Sequence, residues 1–188
     1  MTLPRTTLLI VMAVLAAGAC SRKQPPEVPA PPPPTQTQAP PPARTDDEEA
    51  RRRAAEEARR AAERAGMLAT LQEMVYFDYD DARVRSDAES VLSRKVPILR
   101  TNASVTLRIT GHADERGSLE YNEVLGLRRA NSVRDYLVGF GIDASRITTA
   151  TRGEDQPVDP GHDESAWSKN RRADFNVTAG AENLIRSQ

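Results

Sequence analysis

Residues 105–140 read VTLRITGHADERGSLEYNEVLGLRRANSVRDYLVGF. Val105, Leu107 and Ile109 alternate with Thr106, Arg108 and Thr110, the period of a half-buried strand. Gly111 to Gly117 is a polar loop. From about Leu119 to Phe140 the period changes to that of a helix, with Gly141 as its stop. Projected at about 100° per residue, Ala130, Val133, Leu137 and Phe140 form an apolar arc. Arg129 falls at the edge of that arc, while Arg128 points nearly opposite. A charge beside a buried face needs a partner, either a structural salt bridge or a bound ligand.

Outward from this stretch the same two periods recur. Val75-Tyr76-Phe77 reads as a short first strand leading into the acidic turn Asp78-Tyr79-Asp80-Asp81. Ser86-Asp87-Ala88-Glu89 has the form of a capping box, and Val91, Leu92, Val96 and Leu99 follow at helical spacing. Pro97 is expected to kink or restart that helix. Ile147 to Thr151 should form a third strand, and Ala173, Phe175 and Val177 alternate as a fourth. Strands separated by helices predict an α/β two-layer sandwich, with one mixed four-stranded sheet and two long helices covering one of its faces.

The N-terminal third is organised differently. Asp46 to Arg64 is alanine, glutamate and arginine, with an acidic first turn that suits the helix dipole. Glu48/Arg52, Glu49/Arg53 and Glu56/Arg60 are i,i+4 pairs. With mostly alanine between them, the segment reads as a solvated stalk or a partner-binding coiled coil, ended by Gly66. Most of the 14 prolines lie before residue 45, so 20–45 is expected as an extended polyproline tether: a spacer, or a proline-rich ligand for a partner. Residues 1–19 read as an export signal: Arg5, an apolar run from Leu8 to Ala17, then Ala17-Gly18-Ala19 before Cys20. The run is short of the roughly 20 apolar residues of a membrane span. Small residues before a cysteine resemble a lipoprotein signal, which implies that Cys20 is lipidated and becomes the mature N-terminus. Ser21, rather than aspartate, implies sorting to the outer membrane, as in enteric-type bacteria. The expected organisation is a signal at 1–19, a tether at 20–45, a charged helix at 46–66, one domain at 72–178 and a tail at 179–188.

Composition narrows the function. A formal net charge of -1 over 188 residues lacks the basic excess of a nucleic-acid binder. The single cysteine excludes an intrachain disulfide. His112, Asp114, His162 and Asp163 sit in polar loops without His-Glu-x-x-His spacing, and no serine lies in a Gly-x-Ser-x-Gly turn. No catalytic residue, metal site or cofactor is expected.

Several ordered strings are more specific. GHADERGSLEYNEVLGLRRA from Gly111, Val75-Tyr76-Phe77-Asp78, Arg152-Gly153-Glu154-Asp155-Gln156-Pro157, and Gly161 to Ala173 together resemble the OmpA-like peptidoglycan-binding domain. Within that family they are most similar to the branch of peptidoglycan-associated lipoproteins (Pal) of the Tol–Pal system. The resemblance covers about residues 72–178. It implies binding of the peptidoglycan stem peptide through meso-diaminopimelate, which presents an ammonium and carboxylates together. It places Asp114 on the ammonium and Arg129 on a carboxylate as a bidentate fork. Phe77, Asp78 and Asn122 are implied as further contacts, while Arg171 and Arg172 either contribute charge or brace the fold. The family also implies a lipid anchor in the outer membrane through acylated Cys20, a periplasm-facing tether, and a TolB-like periplasmic partner. The same domain serves in stator-type anchors and protein-interaction modules, and a stator should carry a full transmembrane segment near its N-terminus.

Overall fold

The computed structural model describes residues 46–186; the expected signal at 1–19, Cys20 and the tether at 20–45 lie outside them. The acidic turn Asp46–Glu49 opens a helix of 27 residues, α1 (Asp46–Gln72). There follow β1 (Val75–Tyr76), α2 (Ser86–Thr101), β2 (Thr106–His112), α3 (Leu119–Gly139), β3 (Ile147–Gly153), α4 (Glu164–Asn170) and β4 (Arg172–Ala179). The strands form one mixed sheet in the order β1-β4-β2-β3: β4 is antiparallel to both β1 and β2, whereas β2 and β3 run parallel.

Alternation along the strands decides which face is covered. Leu107, Ile109, Ala173 and Phe175 are buried toward the helices, while Arg108 and Asn176 on the other face are exposed. Leu92 and Leu99 of α2 and Val133 and Leu137 of α3 close over the apolar face. Each such side chain, fully buried, contributes about 1.5–3 kcal/mol. The expected α/β two-layer sandwich is the one found.

One close approach sets the register of helix on sheet. A Cβ on Gly111 of β2 would stand 1.9 Å from the carbonyl oxygen of Gly126 in α3, and one on Gly126 would stand 2.5 Å from Thr151 Oγ1. Backbone lies on backbone here, which only glycine permits. Arg129 follows Gly126 by one turn, so this contact fixes where its side chain starts.

Several local expectations are corrected. α1 does not stop at Gly66, because Leu71 is fully buried and Met67 and Leu68 pack on the core, so packing overrides the breaker. α2 runs unbroken through Pro97. Pro97 and Ser93, whose carbonyl it leaves without a helical donor, are both exposed, so water can satisfy that oxygen. The capping box does not form. Ser86 is already inside the helix, the N-cap is Arg85, and Asp87 Oδ1 accepts the Ala88 N–H at 2.9 Å. Phe140 leaves the apolar arc: it is 44% exposed and stacks on Tyr136 at 4.8 Å, while Gly141, at φ 84°, turns Ile142 into the core instead. Beyond β4 the chain stays pinned, with Leu184 buried and Asn102 exchanging hydrogen bonds of 2.8 and 2.9 Å with the Ile185 backbone.

Candidate ligand-binding site

β1 and β2 end, and β4 begins, at one edge of the sheet, and Asp114, Arg129, Arg171 and Arg172, most of the buried charge, gather there. Arg129 reaches this edge from α3 and is fully buried. Its Nε donates to the Asp81 carbonyl at 2.9 Å, Nη1 to the His112 carbonyl at 2.7 Å and Nη2 to the Asp78 carbonyl at 3.0 Å. The guanidinium lies 5.2 Å above the Phe77 ring centre. Among the described residues no carboxylate lies within salt-bridge distance of it, and burial pulls its pKa down to about 10, against the pull of Asp114. The structural salt bridge weighed from sequence is therefore not what holds Arg129. Three of its five N–H donors are committed to backbone oxygens, which orients the fork without neutralising it.

Asp114 stands in the loop after β2 and is 4% exposed. Oδ1 accepts from the Arg116 backbone N–H and Nε, both at 3.1 Å; Oδ2 accepts from Arg116 Nη2 at 2.7 Å and Arg171 Nη1 at 3.2 Å. Burial pushes this carboxyl up, but the hydrogen bonds from Arg116 and Arg171 outweigh it and hold it below the usual carboxylate range. Arg171, the residue between α4 and β4, also donates to the Phe77 carbonyl at 3.1 Å and to Glu164 Oε1 at 2.6 Å. It ties the first strand, the Asp114 loop and α4 together. Arg172 forks Asp174 on the opposite face of the sheet, which separates the two arginines that the sequence left equivalent.

The remaining expected contacts divide by role. Phe77 is a core residue that offers only its carbonyl and ring face. Asp78 turns its carboxylate outward to Arg85 at 2.9 Å, and its carbonyl alone faces Arg129. Asn122, 1% exposed, donates to the Asp114 and Arg116 carbonyls at 3.1 and 3.3 Å and to Glu154 Oε2, so it braces the loop. A cleft of about 90 Å³ opens between these groups, with Asp114, Arg116, Asn122 and Arg129 in its wall and Tyr79 and Tyr121 at its sides. The two histidines lie apart. His112 is buried, with Nε2 2.9 Å from Asp174 but out of line for a hydrogen bond, and His162 is exposed on Glu115. A larger groove, about 770 Å³, runs between the end of α1, β1 and α2, but its wall offers the carboxylates of Glu73 and Asp87 and no cation.

Arg116 and Glu164 escaped the sequence reading. Arg116 had a signal, a cation two residues beyond a buried acid in a turn. Glu164 had none, because its partners Arg116 and Arg171 meet it only in the fold.

A peptidoglycan-associated lipoprotein of Mesorhizobium japonicum is 43% identical over 101 residues, 54% of this chain and 60% of its own length. One of Haemophilus influenzae is 41% identical over 99 residues, 53% of this chain and 65% of its own. The chain thus spans less than two thirds of these curated relatives. The crystal structure of the peptidoglycan-associated lipoprotein from Burkholderia pseudomallei superposes with a TM-score of 0.55 at 36% identity, over 56% of this chain and 90% of that one. The C-terminal domain of Helicobacter pylori MotB shares the fold alone, at 18% identity and a TM-score of 0.54, over 58% of this chain and 87% of that one. Residues 76–171, half of the chain, match the OmpA family, and the chain belongs to it.

Proposed function

We propose that this chain is a lipoprotein of the cell envelope whose folded domain binds peptidoglycan non-covalently and tethers the outer membrane to the wall. The observation that carries this reading is Arg129: a fully buried guanidinium, held by three carbonyls, with no carboxylate partner among the described residues and a place in the wall of a cleft beside Asp114. Such a group calls for an anion. A ligand that presents a carboxylate to Arg129 and an ammonium to Asp114 satisfies both, and meso-diaminopimelate of the stem peptide has that chemistry. The names of the relatives supply the class of partner.

In this reading Arg129 takes a carboxylate with its two uncommitted N–H groups, and Asp114 takes the ammonium. The Phe77–Asp78 backbone and Asn122 shape the cleft, and Arg171 holds Asp114 in position. Nothing is made or broken: the domain binds and does not catalyse. An acyl chain on Cys20 supplies the membrane end, facing the periplasm. A TolB-like protein competing for the same edge would make the hold reversible, as the Tol–Pal system requires during envelope constriction.

The test is sedimentation of the full chain, purified in detergent, with diaminopimelate-type peptidoglycan. Wild type should pellet with the wall, and Asp114→Ala and Arg129→Ala should stay in the supernatant while keeping wild-type circular dichroism. Losing one charge-assisted contact in a buried site costs about 2–5 kcal/mol, a thirtyfold loss or more. Normal pelleting by both variants would end the site assignment.

A further inference from the structure

The cleft that should take an ammonium is already occupied by a cation of the protein. An ionised carboxylate offers about four lone-pair positions, and all those of Asp114 are taken by the Arg116 backbone N–H, Arg116 Nε, Arg116 Nη2 and Arg171 Nη1. The two arginines are not equally fixed. The Arg171 side chain is 7% exposed and tied to Phe77 and Glu164, whereas the Arg116 side chain is 28% exposed and springs from the loop itself. Arg116 can therefore leave without unpicking the sheet; Arg171 cannot.

The surroundings also provide for the departure. The Arg116 guanidinium lies 4.1 Å from the ring centres of both Tyr79 and Trp167, and Nη1 is 3.5 Å from Glu164 Oε2. Tyr79 is 58% exposed, and Trp167 is held by its indole N–H on Glu115 Oε1 at 2.9 Å. A cation sliding outward between two aromatic faces keeps most of its cation–π attraction. Space points the same way. A cleft of about 90 Å³ is far below the roughly 300 Å³ at which small-molecule pockets begin, and the Arg116 side chain is part of its wall.

We infer that Arg116 is an internal stand-in for the ligand's ammonium, a plug that must swing off Asp114 along Tyr79 and Trp167 before a diamino dicarboxylic ligand enters. The inference rests on the wall-binding reading and adds to it a specificity-determining residue. A ligand without an ammonium cannot replace the plug and leaves Asp114 with only Arg171 Nη1 and the Arg116 backbone N–H, so the plug favours diamino acids over dicarboxylates alone.

The experiment is a calorimetric titration of the full chain in detergent with a synthetic stem tripeptide containing meso-diaminopimelate, followed in parallel by the fluorescence of Trp167, the only tryptophan. Wild type should bind with a change in Trp167 emission as the guanidinium moves. Arg116→Ala, which removes the competitor, should bind about five- to tenfold more tightly, the gain expected when an open form of roughly 10–20% becomes the whole population. Its emission should no longer respond. Arg116→Gln, which keeps the stem and loses the charge, should behave as Arg116→Ala does, and it decides the matter if the alanine variant fails to fold. A folded Arg116 variant that binds as wild type does, or more weakly, overturns the plug and makes Arg116 a direct contact or a brace. A wild-type chain that does not bind the tripeptide overturns the wall-binding reading and the plug with it, which sets the two failures apart.

Discussion

Two regions of this protein are built from arginine and acid in nearly equal numbers, and they do opposite things. Along the first turns of α1, Arg52 pairs with Glu48 at 2.7 Å and Arg53 with Glu49 at 2.8 Å, with side chains 54–73% exposed. At the sheet edge, Arg171 pairs with Asp114 at 3.2 Å with side chains 7% and 4% exposed. The pair with the shorter distance is the weaker in consequence. In water each α1 ion gives up little by separating, whereas a buried ion left alone keeps its full desolvation cost. Burial, not geometry, turns a charge pair into a structural commitment.

The strongest way to break the comparison is Arg171→Met. The substitution strips Asp114 of one donor, takes the donor from the Phe77 carbonyl and leaves Glu164 only its 3.5 Å contact with Arg116. Removing one partner of a buried pair costs about 3–5 kcal/mol, here near the lower end because Arg116 still holds Asp114. Arg172→Met loses a fork to Asp174, whose side chain is 36% exposed, and a 3.2 Å bond to the Gln156 carbonyl, and it removes a buried Nη1 that has no partner. About 1 kcal/mol is expected there. Urea denaturation of both variants gives the order, and equal losses would mean that the two arginines brace the fold alike.

Sequence periodicity carried the sheet and α3, because Leu107, Ile109 and Phe175 alternate into a real core and Gly141 does turn the chain. Arg129 was legible for the same reason: an arginine on an apolar arc is an anomaly that needs explaining. Its holders were not legible, since the carbonyls of Asp78, Asp81 and His112 belong to residues whose side chains say nothing about their backbone oxygens. The assignment of Asp114 to an ammonium came from family resemblance; Arg116 on it had a local signal, whereas the hold of Arg171 on it came only from the fold. Lys95 is the clearest case of a hidden role. Between Leu92 and Val96 it reads as an ordinary helix lysine, yet it is fully buried, and its partners lie 22–25 residues earlier in the chain.

Lys95 sharpens the comparison, because it is a buried cation with no salt bridge among the described residues. Its ammonium donates to the Thr70, Leu71 and Glu73 carbonyls at 2.7, 2.9 and 2.7 Å, closing the C-terminus of α1, and lies 4.0 Å from the Phe175 ring centre. Burial pulls its pKa down from 10.5 to about 7, while Glu73 works against the shift. Between about pH 7 and 10.5 the unfolded chain then holds more protons than the folded one, so this group's contribution to stability rises with pH across that window and is flat below it. Lys95→Met removes the slope and the ammonium donor to three carbonyls, of which Thr70 keeps the Glu73 N–H at 3.4 Å. The stability gap between wild type and variant should widen by about 2 kcal/mol from pH 6.5 to pH 9.5 in urea denaturation, allowing for the carbonyls and ring that favour the charged form. Parallel curves would mean that those contacts outweigh burial and keep the ammonium charged throughout.

The smallest effect belongs to α1, and its smallness is the point. Glu56 accepts from Arg59 Nη2 and Arg60 Nε, both at 2.8 Å, and these bonds, Arg59 first, hold its carboxyl down at about 2. So low a pKa looks like strong stabilisation. Yet the neighbouring α1 residues are exposed, and α1 makes no core contact before Met67 and Leu68. Losing the two pairs unravels nothing that the sheet depends on, and salt screens them. Glu56→Ala should therefore leave the melting temperature within about 1 °C of wild type, at low salt and in 1 M sodium chloride alike. Lys95 and Arg171, without the closely spaced ion-pair ladder of α1, should each move it by several degrees. A large, salt-sensitive loss from Glu56→Ala would instead couple the ladder to the core. The charged turns would then count as part of the folded unit, and the boundary between stalk and domain would move toward Asp46.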